Sequence, residues 1–173
     1  MSDFQTYDDR TKLWHWLSAG VIVAMYLIAQ IIDFFPRPMR VWPISTHVAL
    51  GLTLVVIYVA RIQWRLTKGR KLPAADAGLI GLAGTAAHYG LYALIAAVLV
   101  LGVYLEAIRA DNLFTLGRLP SIAPGNTDLR HSINEWHGLA ANSLLILAGL
   151  HATAALYHRF VRHDGVLARM LGR

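Results

Sequence analysis

The chain has 173 residues, 56% of them hydrophobic and only 15% charged, with a formal net charge of +6 and a mean hydropathy of +0.47. A soluble domain carries nearer a quarter of charged residues, so this is the composition of a polytopic membrane protein, read as a single transmembrane domain over residues 1–173. The absence of cysteine excludes disulfides, thiolate metal sites, iron–sulfur clusters and covalent c-type haem attachment.

Taken in chain order, the N-terminal MSDFQTYDDRTK is mixed in charge and shows no small-residue cleavage site, so the apolar run after it is read as a retained helix. Four uncharged runs follow: Leu13 to Ile32, Val41 to Ala60, Ala77 to Leu105 and Trp136 to His158. Each reaches the ~20 residues that a helix needs to cross a bilayer core. They predict spanning helices at about 13–32, 43–65, 83–105 and 136–158. The Gly-rich start of the third run (Gly78, Gly81, Gly84) is expected along the interface. Between the runs lie a Pro-containing turn, DFFPRPMR (33–40), a basic loop from Arg61 to Asp76, and a long loop from Glu106 to Glu135 rich in Gly, Pro, Asn and Asp. Long loops of this kind are often lids or docking surfaces. A short basic tail closes the chain.

Charge orients the runs. With both termini and the second loop on one side, that side holds eleven Lys and Arg residues against five (Arg37, Arg40, Arg109, Arg118 and Arg130), while acidic residues divide five and five. The positive-inside rule places both termini in the cytoplasm. Trp14, Trp16, Trp42, Trp64 and Trp136 all fall near run ends, as an aromatic belt requires. Because the basic residues flank apolar runs and line no soluble face, membrane lipid is the expected partner and nucleic acid is not. The expected fold is an all-α, integral membrane four-helix bundle.

Histidine is the residue type that stands out within the runs. His137 and His151 are fourteen residues apart in the fourth, almost four turns, so both leave one helical face ~21 Å apart along the axis. Ionisable residues at membrane depth are costly and signal function by default. Depth sorts four histidines into two pairs. His47 and His137 lie towards the periplasmic surface, and His15 and His151 towards the cytoplasmic one. Two imidazoles on facing helices at one depth can ligate the iron of a flat macrocycle between them. Zinc wants about four ligands at one point, and two pairs at opposite depths do not supply that. Gly51, Ala19, Ala148 and Ala155 leave room on the same faces, or simply pack neighbouring helices.

Other side chains compete or assist. His88 is near the depth of His15 and could replace it as ligand, or bond a haem propionate or a quinone. His158, two turns beyond His151, is a candidate for a quinone pocket or an interfacial group. Arg37, Arg40 and Arg130 flank the periplasmic pair, as propionate partners, as attractors of an anion, or as ordinary interfacial arginines. His131 and His163 are read as solvated.

These residues also carry a family resemblance. LWHW (13–16), FFPR (34–37), STHVALG (45–51), EWHGLAANSLLILAGLHATAAL (135–156) and HRFVRHDGVLARML (158–171) resemble the bacterial cytochrome b561 family, related to the b-type subunits of nickel hydrogenases and formate dehydrogenases. The resemblance spans nearly the whole chain, and the paired histidines of the fourth run are its most specific element. It implies a four-helix membrane bundle with two b haems, ligand positions matching His15, His47, His137 and His151, and electron exchange with ubiquinone in the bacterial inner (plasma) membrane. Part of the family is associated with passing electrons from superoxide to ubiquinone.

Two axial histidines leave no open position on iron, which favours electron transfer over oxygen binding. The expected function is that of an oxidoreductase acting on quinone, with superoxide or another periplasmic donor, or otherwise an electron carrier. A b-type membrane anchor for a larger dehydrogenase or hydrogenase is the alternative. A metal or haem carrier would call for ligands at staggered depths and broken helices, a pattern the chain does not show.

Overall fold

The computed structural model describes residues 5–117 and 120–172. Arg118 and Arg173, counted in the charge asymmetry above, lie outside them. Four long helices, α1 (Asp9–Ile31), α2 (Val41–Thr67), α3 (Gly78–Arg109) and α4 (Thr127–Tyr157), are followed by a short α5 (Ala168–Leu171). There is no strand among the described residues. All four long helices are long and apolar enough to cross a membrane. Leu27, Val56, Val100, Ile146 and Leu150 are exposed along them, side chains that lipid tails solvate as well as protein does. The chain is an all-α, integral membrane four-helix protein.

The helices overrun the uncharged stretches, because capped ends carry polar residues beyond the hydrocarbon. Asp8 caps α1 by accepting the Thr11 N–H at 2.9 Å. Asn126 caps α4 in the same way through Leu129 N–H at 2.9 Å, so Trp136 sits more than two turns inside its helix. Helix α2 continues to Thr67, which makes Arg61 a helical residue and not the first of a loop. From Gly78 onward α3 is one continuous helix, with no separate interfacial segment. It stops at Ala110, which takes the left-handed conformation (φ 49°). The long connection therefore shortens to residues 110–126.

Packing is uneven. Helix α1 lies along α2, and α3 along α4, but the two hairpins meet more sparingly and α1 hardly approaches α4. A polar link across that seam joins the Tyr26 hydroxyl to Asn142 Oδ1 at 3.1 Å. Midway along the bundle a buried apolar cluster draws on every long helix: Met25, Leu54, Ile95, Leu99 and Leu144. Leu144 is seven residues from both His137 and His151, so the cluster separates two histidine levels. Gly51 faces α1. A Cβ there would stand 3.3 Å from Met25 Cε, so its small size serves the α1–α2 contact.

Both termini meet at one end. The Asp8 carboxylate also accepts from the Trp64 indole (2.8 Å), the Arg70 N–H (2.9 Å) and the Thr11 hydroxyl (2.7 Å). Burial alone would raise its pKa, but these hydrogen bonds outweigh it and hold the carboxyl well below the usual range. The basic tail turns back onto the bundle: Tyr7 N–H donates to the Arg169 carbonyl (3.0 Å), and the Trp16 indole to that of Met170 (3.3 Å).

Candidate functional site

At the end away from the termini, His47 on α2 faces His137 on α4, with ring centres 6.3 Å apart and planes at 76°. Each ring has a backbone acceptor at Nδ1. For His47 it is the Met25 carbonyl (3.0 Å), and for His137 the Val98 carbonyl (3.1 Å). A carbonyl only accepts, so both Nδ1 atoms carry hydrogen, and in the neutral ring Nε2 keeps its lone pair. Gly102 makes this approach workable, because a Cβ there would stand 3.0 Å from His137 Cε1. It is one turn after Val98, whose carbonyl the ring reaches.

At the end that holds the termini, His15 on α1 faces His151 on α4 with ring centres 6.4 Å apart and planes at 63°. His88 on α3 is closer still to His151, at 5.1 Å. It is exposed, and its Nδ1 donates to the Gly84 carbonyl one turn back (2.8 Å). His15 differs from the others. Its Nδ1 meets an Arg61 guanidinium nitrogen at 3.0 Å, and a guanidinium only donates.

The second half of this end is an ionic cluster that the uncharged run hides. Helix α4 widens into a π-helical turn at His158–Arg162 before His163 ends it in the left-handed conformation (φ 51°). Such turns are frequent at functional sites. His158 is largely buried, between Asp164 Oδ2 at Nδ1 (2.5 Å) and Asp76 Oδ2 at Nε2 (3.4 Å). Arg162 bridges to Asp76 Oδ1 at 2.5 Å. Burial would raise the Asp164 pKa, but the His158 bond, the Val166 N–H and the Arg162 charge bring it below its ordinary value. Beside this cluster lies a cleft of about 620 Å³, with walls from Ile80, Leu150, Ala154 and Tyr157 and a polar side from Thr153, His158 and Arg162. Asp76 is the sole acidic residue in its basic loop, a legible signal, but its partner is eighty-two positions away.

The arginines divide. Arg40 is tied into its own turn, to the Asp33 carboxylate (2.7 Å) and the Phe35 carbonyl (3.0 Å). Arg37 and Arg130 are exposed. His131 is an exposed partner of Glu135 (3.5 Å).

Four apolar helices and two levels of facing imidazoles define a multi-pass membrane protein built around paired histidines. Comparison with known proteins gives that class its family. The model for prokaryotic cytochrome b561 matches residues 6–173. The chain belongs to this family of b-type, haem-binding bacterial membrane cytochromes. It is 29% identical over 160 residues to a probable superoxide oxidase, CybB, of Yersinia pestis, covering 91% of this chain and 90% of that protein. It is 25% identical over 178 residues to cytochrome b561 homolog 2 of Escherichia coli K12, covering 98% and 93%. It is 28% identical over 166 residues to cytochrome b562 of Cereibacter sphaeroides, covering 91% and 89%.

Proposed function

We propose that this chain is a two-haem cytochrome that carries electrons through the bacterial inner membrane to the ubiquinone pool, with both termini in the cytoplasm. The observation that carries the reading is the near-equal separation of its two histidine pairs, 6.3 Å and 6.4 Å. A separation of 6.3–6.4 Å would leave room for one metal ion between the two imidazoles that would hold it. His88 and His151, at 5.1 Å, are too close to fit that distance. His47 and His137, each with a lone pair at Nε2, would hold one b haem, and His15 and His151 would hold a second with His15 in the tautomer that carries its hydrogen at Nδ1, which requires Arg61 to turn away from that nitrogen. Bound haem supplies one-electron Fe(III)/Fe(II) cycling.

The chain's own groups do the rest. The Met25 and Val98 carbonyls orient His47 and His137 and raise their basicity as ligands. The cleft beside His158 suits a quinone ring, since Ile80, Leu150 and Tyr157 give it apolar, lipid-facing walls while Thr153, His158 and Arg162 offer groups for the quinone oxygens. Reduction of a quinone to a quinol takes two electrons, arriving singly, and two protons. His158 has an acceptor at either ring nitrogen, so it can hold a proton at the cleft wall, and Asp76 and Asp164 hold it in place. At the opposite end, exposed Arg37 and Arg130 would draw in an anionic donor. The superoxide oxidase relative makes superoxide the first donor to try.

The test is a pyridine haemochrome assay on the purified chain together with a dithionite-reduced spectrum. Two b haems per chain are expected, and a chain without a b-type spectrum sinks the reading. Turnover of the isolated chain with ubiquinone distinguishes an oxidoreductase from a membrane anchor that is silent without its complex.

A further inference from the structure

We propose that Arg61 makes the two haem sites unequal: the His47–His137 site holds its haem more tightly, and the His15–His151 site is filled only when Arg61 lets go of His15. This rests on the two-haem reading given above.

A histidine binds metal through a ring nitrogen that has a lone pair, and in the neutral ring the other nitrogen then carries the hydrogen. At the His47–His137 level both rings already have that form. The Met25 carbonyl takes the Nδ1–H of His47 (3.0 Å) and the Val98 carbonyl that of His137 (3.1 Å), so each Nε2 keeps its lone pair. Neither ring has to exchange its hydrogen.

At the other level the arrangement is reversed. Arg61 Nη2 donates to His15 Nδ1 at 3.0 Å, so the neutral His15 ring keeps its hydrogen at Nε2, the one nitrogen left for a metal. The donor is held from behind. Its guanidinium stacks over the Tyr92 ring, 5.2 Å from the centroid, and the Tyr58 hydroxyl steadies Tyr92 by donating to its carbonyl at 2.8 Å. Among the described residues no carboxylate pairs with Arg61 and draws it off His15.

Filling the His15–His151 site therefore gives up a hydrogen bond from a charged donor and exchanges a tautomer, and the other site does neither. A site whose competent form is a minor one loses affinity in proportion to that fraction. One hydrogen bond from a charged group is worth about tenfold or more in such an equilibrium. A chain with a single haem therefore carries it between α2 and α4. Removing the arginine strengthens the second site. A glutamine at position 61 has a carbonyl that can accept the Nδ1–H of His15, and so no longer forces the hydrogen onto Nε2.

The experiment equilibrates the purified, oxidised holoprotein with rising concentrations of apomyoglobin, a soluble haem acceptor, and reads the haem that the chain keeps. Wild type is expected to lose its haems in two steps, about tenfold or more apart in acceptor concentration. The haem kept longer is expected to have the spectrum of H15A, which retains the His47–His137 site, and not that of H47A. In R61Q the weaker step is expected to tighten by about tenfold or more, with the other step unmoved. Loss of both wild-type haems in one step, a last haem with the H47A spectrum, or a weaker step that R61Q leaves unmoved or weakens overturns the proposal. H15A and H47A read the same order with Arg61 intact, whether or not R61Q folds. H47A is expected to surrender its haem to less acceptor than H15A, and an equal or reversed order overturns the proposal. A wild-type chain with fewer than two haems sinks the two-haem reading itself, whereas two haems lost in one step sink this inference alone.

Discussion

Gly102 on α3 and His137 on α4 share one contact: a Cβ at position 102 would stand 3.0 Å from His137 Cε1, and one turn earlier the Val98 carbonyl accepts the same ring's Nδ1–H. The space a side chain would fill is taken by the imidazole. G102V is therefore expected to displace His137 and lose one haem, taking the haemochrome stoichiometry from two towards one. G102A, with a contact only a few tenths of an ångström too tight, is expected to keep both haems with an altered α-band. A G102V protein that retains two unperturbed haems would contradict this account of the site.

His88 and His15 compete for His151, and geometry separates them. H15A and H151A are each expected to lose one haem, while H88A keeps two, because only the 6.4 Å pair matches a shared metal. The check is haem content per chain in the three variants. An H88A chain with one haem would reassign the ligand.

His158 is expected to matter for protons and not for haem. H158A should slow ubiquinone reduction by about 10²-fold or more, the usual worth of a positioned general acid, with an unchanged spectrum. D76N should be affected in the same direction but less, since it orients His158 and does not touch the cleft. Equal rates in wild type and H158A would place the quinone elsewhere.

Asp8 ties the start of α1 to Trp64 and Arg70. D8A is expected to cost about 1 kcal/mol, as loss of a helix cap commonly does, and to lower Tm by ~2–4 °C for a chain of this size. The pH dependence follows from sign. The folded-state pKa values of Asp8 and Asp164 are both depressed, so their stabilisation is complete above the ordinary aspartate range. It is lost as pH falls through the folded values. The contribution of these two carboxylates to melting should be level down to about pH 4 and then decline. In D8A the decline should be shallower, because part of that sensitivity is already gone.

Much of this protein is legible in its sequence, for reasons that are local. Uncharged runs of twenty or more residues mark the four helices, since an unsatisfied backbone is excluded from lipid. Once the helices alternate in direction, the depth of each histidine follows from its position, which is why His47 meets His137 and His15 meets His151. What escapes is set by neighbours distant in the chain. Nothing local marks Arg61 as facing His15, forty-six positions away. No pattern tells which helix carbonyls, here those of Met25 and Val98, have a second lone pair turned to a histidine. Gly102 looks like any small residue in a membrane helix, and its purpose shows only when α4 lies against α3. The helix ends are missed for a simpler reason: hydropathy marks where lipid stops, while caps such as Asp8 and Asn126 mark where the helix stops.

The apolar layer of Met25, Leu54, Ile95, Leu99 and Leu144 lies between the two histidine levels. Water enters a protein interior only where polar groups can hold it, and these five side chains hold none. Among them a hydronium ion or a file of waters finds no footing, and the polar Tyr26–Asn142 link lies apart, on the exposed α1–α4 seam. The layer is therefore a seal, and a polar residue in place of Leu144 is the change that would make it leak.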